Sequence, residues 1–299
     1  MLKASFPTSF YFRIRLFDSL YSVDCADFCN FAGLKAIHSH AMNTSAISLV
    51  TPVLNCAGSL ERTLRSVLAQ SLCPAEHIIV DGMSTDGSTE ICLRYKASAP
   101  YPVRILRREP RGVYDALNAG FAECRHEIAG LLHGADRFPK GNVLEKMQGA
   151  FEADPALQVA YADIRYLDVK GKPGRYYSGR PFRPSLLKWG YMFPHPSMYV
   201  RRALFSRYGP YATDYLIAGD FEWLVRVLLK GGEKYGYVPV CAVLMNPGGV
   251  SARTGNRLRV TPREKLKALR ANGIYVCPLR LVGRYAFALA DIFRKGERQ

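Results

Sequence analysis

Apolar and polar positions alternate along this chain in two rhythms. Residues 47–53 (ISLVTPV) are nearly all apolar and rich in β-branched side chains, the pattern of a strand buried on both faces. Leu60, Leu64, Val67 and Leu68 then recur at helical spacing and predict a helix over 59–70. The pair repeats: strands are predicted over 77–81 (HIIVD), 103–106, 128–132 (IAGLL) and 159–162, and helices over 89–96, 113–124 and 141–153. Strands alternating with helices of this length imply right-handed crossovers, hence an α/β fold with a mostly parallel central sheet and helices on both faces. Past residue 161 the rhythm changes. A hairpin is predicted over 165–178, an irregular Pro-, Gly- and aromatic-rich stretch over 179–198, and helices over 203–208 and 220–230. Two strands follow at 234–238 and 242–245, then two C-terminal amphipathic helices at 262–271 and 278–294.

In open sheets of this kind ligands bind beyond the carboxyl ends of the strands. Those ends are residues 51–55, 81–84 and 133–136, and all three are polar. Asp81 closes one strand, where it can accept hydrogen bonds from a base or ribose. Asp136 follows another in LLHGADRFPKG and suits a hard divalent cation that bridges diphosphate oxygens. Either aspartate could equally serve as a helix cap or turn residue, and Asp86 with Ser88 is read that way. Neither GxGxxG nor GxxxxGK[ST] occurs, so dinucleotide and P-loop readings lack their fingerprints.

Composition narrows the class. The chain has 299 residues, 48% hydrophobic and 22% charged, which excludes wholesale disorder, collagen and coiled coil. No stretch nears the roughly 20 apolar residues of a membrane-spanning helix. Eight scattered cysteines without a CxxC pair point to a reducing compartment. Lys and Arg total 41 against 25 Asp and Glu, net +16, and so imply an anionic partner. The excess is uneven: +1 over 1–45, +6 over 46–250 and +9 over 251–299. The first 45 residues show no sustained period and no secretory signal, and are expected to be a disordered or mis-assigned extension. The expected organisation is therefore that extension, a catalytic domain over 46–250, and a basic helical tail over 251–299.

Five segments in order, ISLVTPVLN, IIVDGMSTDGS, RGVYDALNAGF, LLHGADRFPKG and IAGDFEWLVRVL, carry a resemblance. Over about residues 46–245 the chain resembles the inverting glycosyltransferase family 2, whose GT-A fold has a Rossmann-like sheet. RGVYDALNAG narrows the likeness to bacterial enzymes that build exopolysaccharide, colanic-acid or O-antigen units. The resemblance implies that Thr51 and Pro52 lie against the donor nucleotide, Asp81 contacts its base, and Asp136 holds Mg²⁺ or Mn²⁺. It implies that Asp220 is the catalytic base and that the donor is a UDP- or GDP-sugar. The implied acceptor is a saccharide, as on a polyprenyl-diphosphate carrier. Two positions depart from the pattern: Ala135 replaces the first acid of the metal motif, and Gly219 replaces a common Glu before the base. Glu222 is the rival base; on a helix, positions 220 and 222 point in different directions.

Other residues keep two readings. His195, between prolines in FPHPSMY, is an acceptor-side group or a structural histidine. Asp115 reaches the donor sugar or merely favours its helix dipole. Arg111 meets the diphosphate or solvent, and Trp189 and Tyr191 stack on sugar or core. The helix over 278–295 lies on an anionic membrane, placing the enzyme in the cytoplasm at the inner face of its membrane, or packs on the domain. Two rival functions are a basic nucleic-acid module and a sugar-phosphate nucleotidyltransferase. The first lacks a helix-turn-helix, RNP motif or zinc spacing, so no nucleic-acid partner is expected; the second lacks a Gly-rich basic loop after the first strand.

Overall fold

A computed structural model describes residues 46–247 and 259–281. The expected extension over 1–45 lies outside the described residues, as does most of the predicted helix over 278–294, of which 278–281 are helical.

Four strands, β1 (Ile47–Val53), β2 (Glu76–Asp81), β3 (Val103–Arg107) and β4 (Ile128–Leu131), run parallel in the order β3-β2-β1-β4. Helices α1 (Ala57–Leu68), α2 (Ser88–Ser98) and α3 (Val113–Ala122) connect them, and α4 (Val143–Ala153) follows β4. Side chains alternate between the two faces with the period of two that strands impose. Val50, Ile78 and Val80 pack with Leu117 and Phe121 of α3, whereas Val53 and Ile79 pack with Leu60 and Leu64 of α1 and Cys92 and Tyr95 of α2. At Gly120 a Cβ would meet Val50 Cγ1 at 2.3 Å, so α3 lies on β1 at a distance only glycine permits.

The sheet continues through β7 (Tyr199–Arg201), β5 (Val159–Leu167) and β6 (Pro173–Tyr177). β7 is antiparallel to both β4 and β5, and β8 (Tyr235–Met245) pairs parallel with β5. Sequence periodicity missed β7, which is three residues long, and split β8 in two at Pro239. The strand carries that proline through an irregularity: the register steps from Tyr161↔Tyr237 to Asp163↔Cys241, and Pro239 is exposed. An antiparallel strand begins beside the end of its neighbour. The segment before β7, including His195, is therefore delivered to the same edge as the end of β4.

Three further helices complete the fold: α5 (Ala203–Tyr208), α6 (Gly219–Leu224), which continues as a π-helical stretch over Val225–Lys230, and α7 (Thr261–Ala271). α7 is the first expected C-terminal helix, and it buries Ala268 and Leu269 in the α3-side core. Among the described residues no helix is long and apolar enough to cross a membrane.

Candidate active site

Register aligns the three polar strand ends. Val53 pairs with Asp81, Gly82 N–H donates to Val53 O (2.8 Å), and Gly134 N–H donates to Pro52 O (3.1 Å). Side chains then stitch the first two loops: Asn55 N–H donates to Ser84 Oγ (3.0 Å), and Thr85 N–H donates to Asn55 Oδ1 (2.9 Å). Asp86 accepts from Ala57 N–H at the start of α1 and from Ser88, the turn-and-cap role its sequence suggested.

Two expected donor contacts face inward. The Asp81 carboxylate has no exposed surface; it accepts from Ser84 N–H (3.0 Å) and Thr89 Oγ1 (2.7 Å), with Arg107 Nε at 3.5 Å. Burial alone would raise its pKa, but these hydrogen bonds and the Arg107 charge outweigh it and hold the group below the usual carboxylate range. Asp81 therefore shapes the 82–89 loop, its carboxylate engaged by Ser84, Thr89 and Arg107. Thr51 is likewise fully buried. Its hydroxyl lies 2.8 Å from His77 Nε2, and His77 Nδ1 lies 2.8 Å from the Tyr95 hydroxyl. Pro52 is half-buried at the strand end, and Leu54 and Met83 are exposed beside it.

Asp136 is buried and accepts from Asn246 N–H (3.1 Å), while the Asn246 side chain donates to Ala135 O. Burial pushes its pKa up to about 7 against that hydrogen bond. A buried carboxylate with no salt bridge among the described residues is the donor type a hard cation accepts, and Mg²⁺-like ions need only one or two carboxylates when substrate phosphates supply the rest. Among the described residues no group of three or more His, Cys, Asp or Glu gathers as a self-sufficient metal cage, so the residues fit only a phosphate-sharing ion.

Asp220, in the first turn of α6, has 18% of its side chain exposed. Its Oδ1 is held by the Tyr114 hydroxyl (3.1 Å) and Phe221 N–H (2.7 Å), and its Oδ2 lies 4.0 Å from His195 Nδ1. One oxygen is anchored; the other is left toward His195. His195 is buried with Nε2 3.1 Å from the Tyr211 hydroxyl, and burial lowers its pKa even though the Asp220 charge opposes the shift. Burial, and then the charge of His195, hold His133 at about 4. His133 follows β4 and His195 precedes β7, so the antiparallel pairing of these strands brings both to one edge of the sheet. His195 is a satisfied buried histidine, and it lies beside Asp220.

Other assignments separate. Glu222, the rival base and an acceptor-side candidate, is buried, chelated by Arg226 Nε (2.8 and 3.0 Å) and hydrogen-bonded by Asn272 Nδ2 (3.0 Å). Asp115 lies in the first turn of α3, 3.6 Å from Arg108. Asn118 grips the Tyr211 backbone at both its N–H and its C=O (2.9 and 2.8 Å). Arg111 is exposed, and Arg280 stacks over the partly exposed Trp189. Sequence reasoning passed over Tyr114, although the signal was present. A Cβ at residue 219 would lie 2.9 Å from the Tyr114 ring, so the missing Glu before Asp220 and the tyrosine one helix away are a single feature.

Comparison with known proteins names the class. The sequence profile described as Glycosyl transferase family 2 matches residues 48–209, more than half of the chain. The chain belongs to that family and is a glycosyltransferase. It is 27% identical over 235 residues to a PGL/p-HBAD biosynthesis glycosyltransferase of Mycobacterium bovis, covering 76% of this chain and 85% of that one. Two solved structures share the GT-A fold. S. aureus TarS 1-349 in complex with UDP-GlcNAc matches at TM-score 0.58 and 16% identity, over 76% of this chain and 65% of that one. Mannosyltransferase PcManGT from Pyrobaculum calidifontis, in complex with GDP-Man and Mn²⁺, matches at TM-score 0.55 and 19% identity, over 78% and 66%. Against a longer TarS chain, this chain spans only 39% of the length.

Proposed function

We propose that this glycosyltransferase moves a sugar from a UDP- or GDP-sugar to an acceptor hydroxyl with inversion at the anomeric carbon. The observation that carries the reading is Asp220, whose Oδ1 is fixed while Oδ2 stays beside His195. As the acceptor oxygen bonds to the anomeric carbon, its proton passes to Oδ2, and the bond to the nucleoside diphosphate breaks on the opposite face. Neutral His195 and His133 hold no charge that would compete for the carboxylate. The base and ribose rest on the loops of residues 52–55 and 82–85, which Asp81 and Asn55 shape, and Asp115 is the donor-sugar contact from the α3 side.

Asp136 is the residue that would hold Mg²⁺ or Mn²⁺. When bound, the ion neutralises charge on the leaving diphosphate. Donor chemistry of this kind is supported by the folds of TarS, solved with UDP-GlcNAc, and PcManGT, solved with GDP-Man and Mn²⁺. The acceptor is a saccharide on a polyprenyl-type carrier in bacterial surface-polysaccharide assembly, consistent with the biosynthetic name of the mycobacterial relative. The basic tail beyond residue 281 rests on the anionic inner face of the cytoplasmic membrane.

A screen of UDP- and GDP-sugars for release of the nucleoside diphosphate, with and without Mn²⁺, tests the reading. Metal-stimulated release from one donor is expected. Failure with every donor, alongside tight binding of nucleic acid, would overturn it.

A further inference from the structure

α7 lies beyond the family match, in the segment whose charge first suggested a solvated or membrane-facing tail. Its contacts point elsewhere. Glu264 accepts three consecutive backbone N–H groups, Leu216 at Oε1 (2.7 Å) and Ile217 and Ala218 at Oε2 (2.9 Å each). Among the described residues it forms no salt bridge with any Lys or Arg. These amides belong to the loop that delivers Asp220. They are donors that no carbonyl of α6 can satisfy, because the first N–H groups of a helix and of the chain entering it have no partner one turn back. Ala218 offers no side-chain cap of its own. Two neighbours on α7 grip the same region: Lys267 pairs with Asp214 (2.5 Å), and Lys265 donates to Gly190 O (2.6 Å) while lying 4.7 Å over the Phe221 ring.

We propose that Glu264 is a positioning residue for the catalytic base: by binding the 216–218 amides it fixes the start of α6, and with it the direction of the free oxygen of Asp220. The proposal rests on the reading of Asp220 as the base. Tyr114 belongs to the same frame from the other side, because its hydroxyl reaches both Ile217 O and Asp220 Oδ1. Glu264 thus holds the N–H side of the loop and Tyr114 its carbonyl side. A reacting group misplaced by about 1 Å can cost about a hundredfold in rate without weakening donor binding.

The test uses the full chain with the donor that gives nucleoside diphosphate release in the screen above, water serving as acceptor. Steady-state turnover and amide hydrogen exchange are measured for Glu264→Ala, Glu264→Gln and Asp220→Asn. In Glu264→Ala, kcat should fall about 10- to 100-fold with the donor KM unchanged. Exchange across 214–222 should quicken while peptides from β1 and β4 keep wild-type rates. Glu264→Gln, which keeps an acceptor for the amides, should recover part of both losses. Wild-type kcat or unaltered 214–222 exchange in Glu264→Ala, with Asp220→Asn inactive, would overturn the role of Glu264 alone. Undiminished turnover in Asp220→Asn would overturn the base assignment itself, and the role of Glu264 as its positioner with it.

Discussion

The ring of Tyr114 occupies the place where a side chain at Gly219 would begin. A Cβ on residue 219 would sit 2.9 Å from ring atoms Cδ2 and Cε2, closer than real Cβ contacts come, and 3.0 Å from Ala212 O. The hydroxyl of the same ring meets Asp220 Oδ1. Gly219→Ala should therefore displace the ring and break that hydrogen bond, copying Tyr114→Phe. A hydrogen bond to a charged group is worth about 1.5–3 kcal/mol, or about 10- to 100-fold in rate. Both variants should lose kcat on that scale and keep the donor KM. Wild-type kcat in either would separate the ring from any action of Asp220.

Glu222 gives the converse expectation. Its carboxylate closes a network with Arg226 and Asn272, and Arg226 in turn donates to the carbonyls of Tyr208 and Pro210. Removing one partner of a buried pair leaves the other uncompensated. Because Arg226 is partly exposed, Glu222→Gln should cost about 2–3 kcal/mol of stability, with kcat per folded molecule preserved. Urea melts with an active-site titration decide this. Full stability with lost turnover would restore Glu222 as the rival base.

His77 sets part of the acid limit of the fold. Burial holds its pKa down to about 3, against about 6.5 in an unfolded chain. Between those values the unfolded state takes up a proton that the folded state refuses. Stability therefore falls as pH drops through the window from about 6.5 toward 3, by about 1.4 kcal/mol per pH unit from this residue. Urea melts from pH 7 to 4.5 should show a shallower decline in His77→Gln than in the native chain. Equal slopes would mean that His77 is protonated in the fold.

Asp136 and Ala135 make the metal reading testable from both directions. Asp136→Asn should weaken half-saturation by Mn²⁺ at least about tenfold. Ala135→Asp, at an exposed position, adds the acid that the family pattern carries and should tighten it. Metal dependence indifferent to both changes would remove Asp136 from the ion.

The first half of the sheet was legible because its signals are local: apolar runs bounded by polar turns, with helical spacing between. The strand ends were found for the same reason, since fold class alone locates them. β7 was not legible: three residues carry too little pattern, and Tyr199 belongs there because it covers Gly130 of β4. β8 was split because proline argues against strand unless a bulge absorbs it. The inward turn of Thr51 and Asp81 depends on His77, Ser84 and Thr89, partners invisible to a motif. Glu264 stands 46 to 48 residues from the amides it binds, and nothing in its neighbourhood signals the contact. The basic charge divides likewise, for two lysines of the segment over 251–299 bind Gly190 and Asp214 of the catalytic domain.

The central claim is that Asp220 takes the proton of the acceptor. The most direct measurement is turnover and donor-nucleotide affinity in Asp220→Asn, a change that keeps the shape of the side chain and removes its basicity. Turnover lower by about a thousandfold or more, with nucleotide affinity unchanged, is the predicted result. Retained turnover, or a loss matched by lost nucleotide binding, would contradict it.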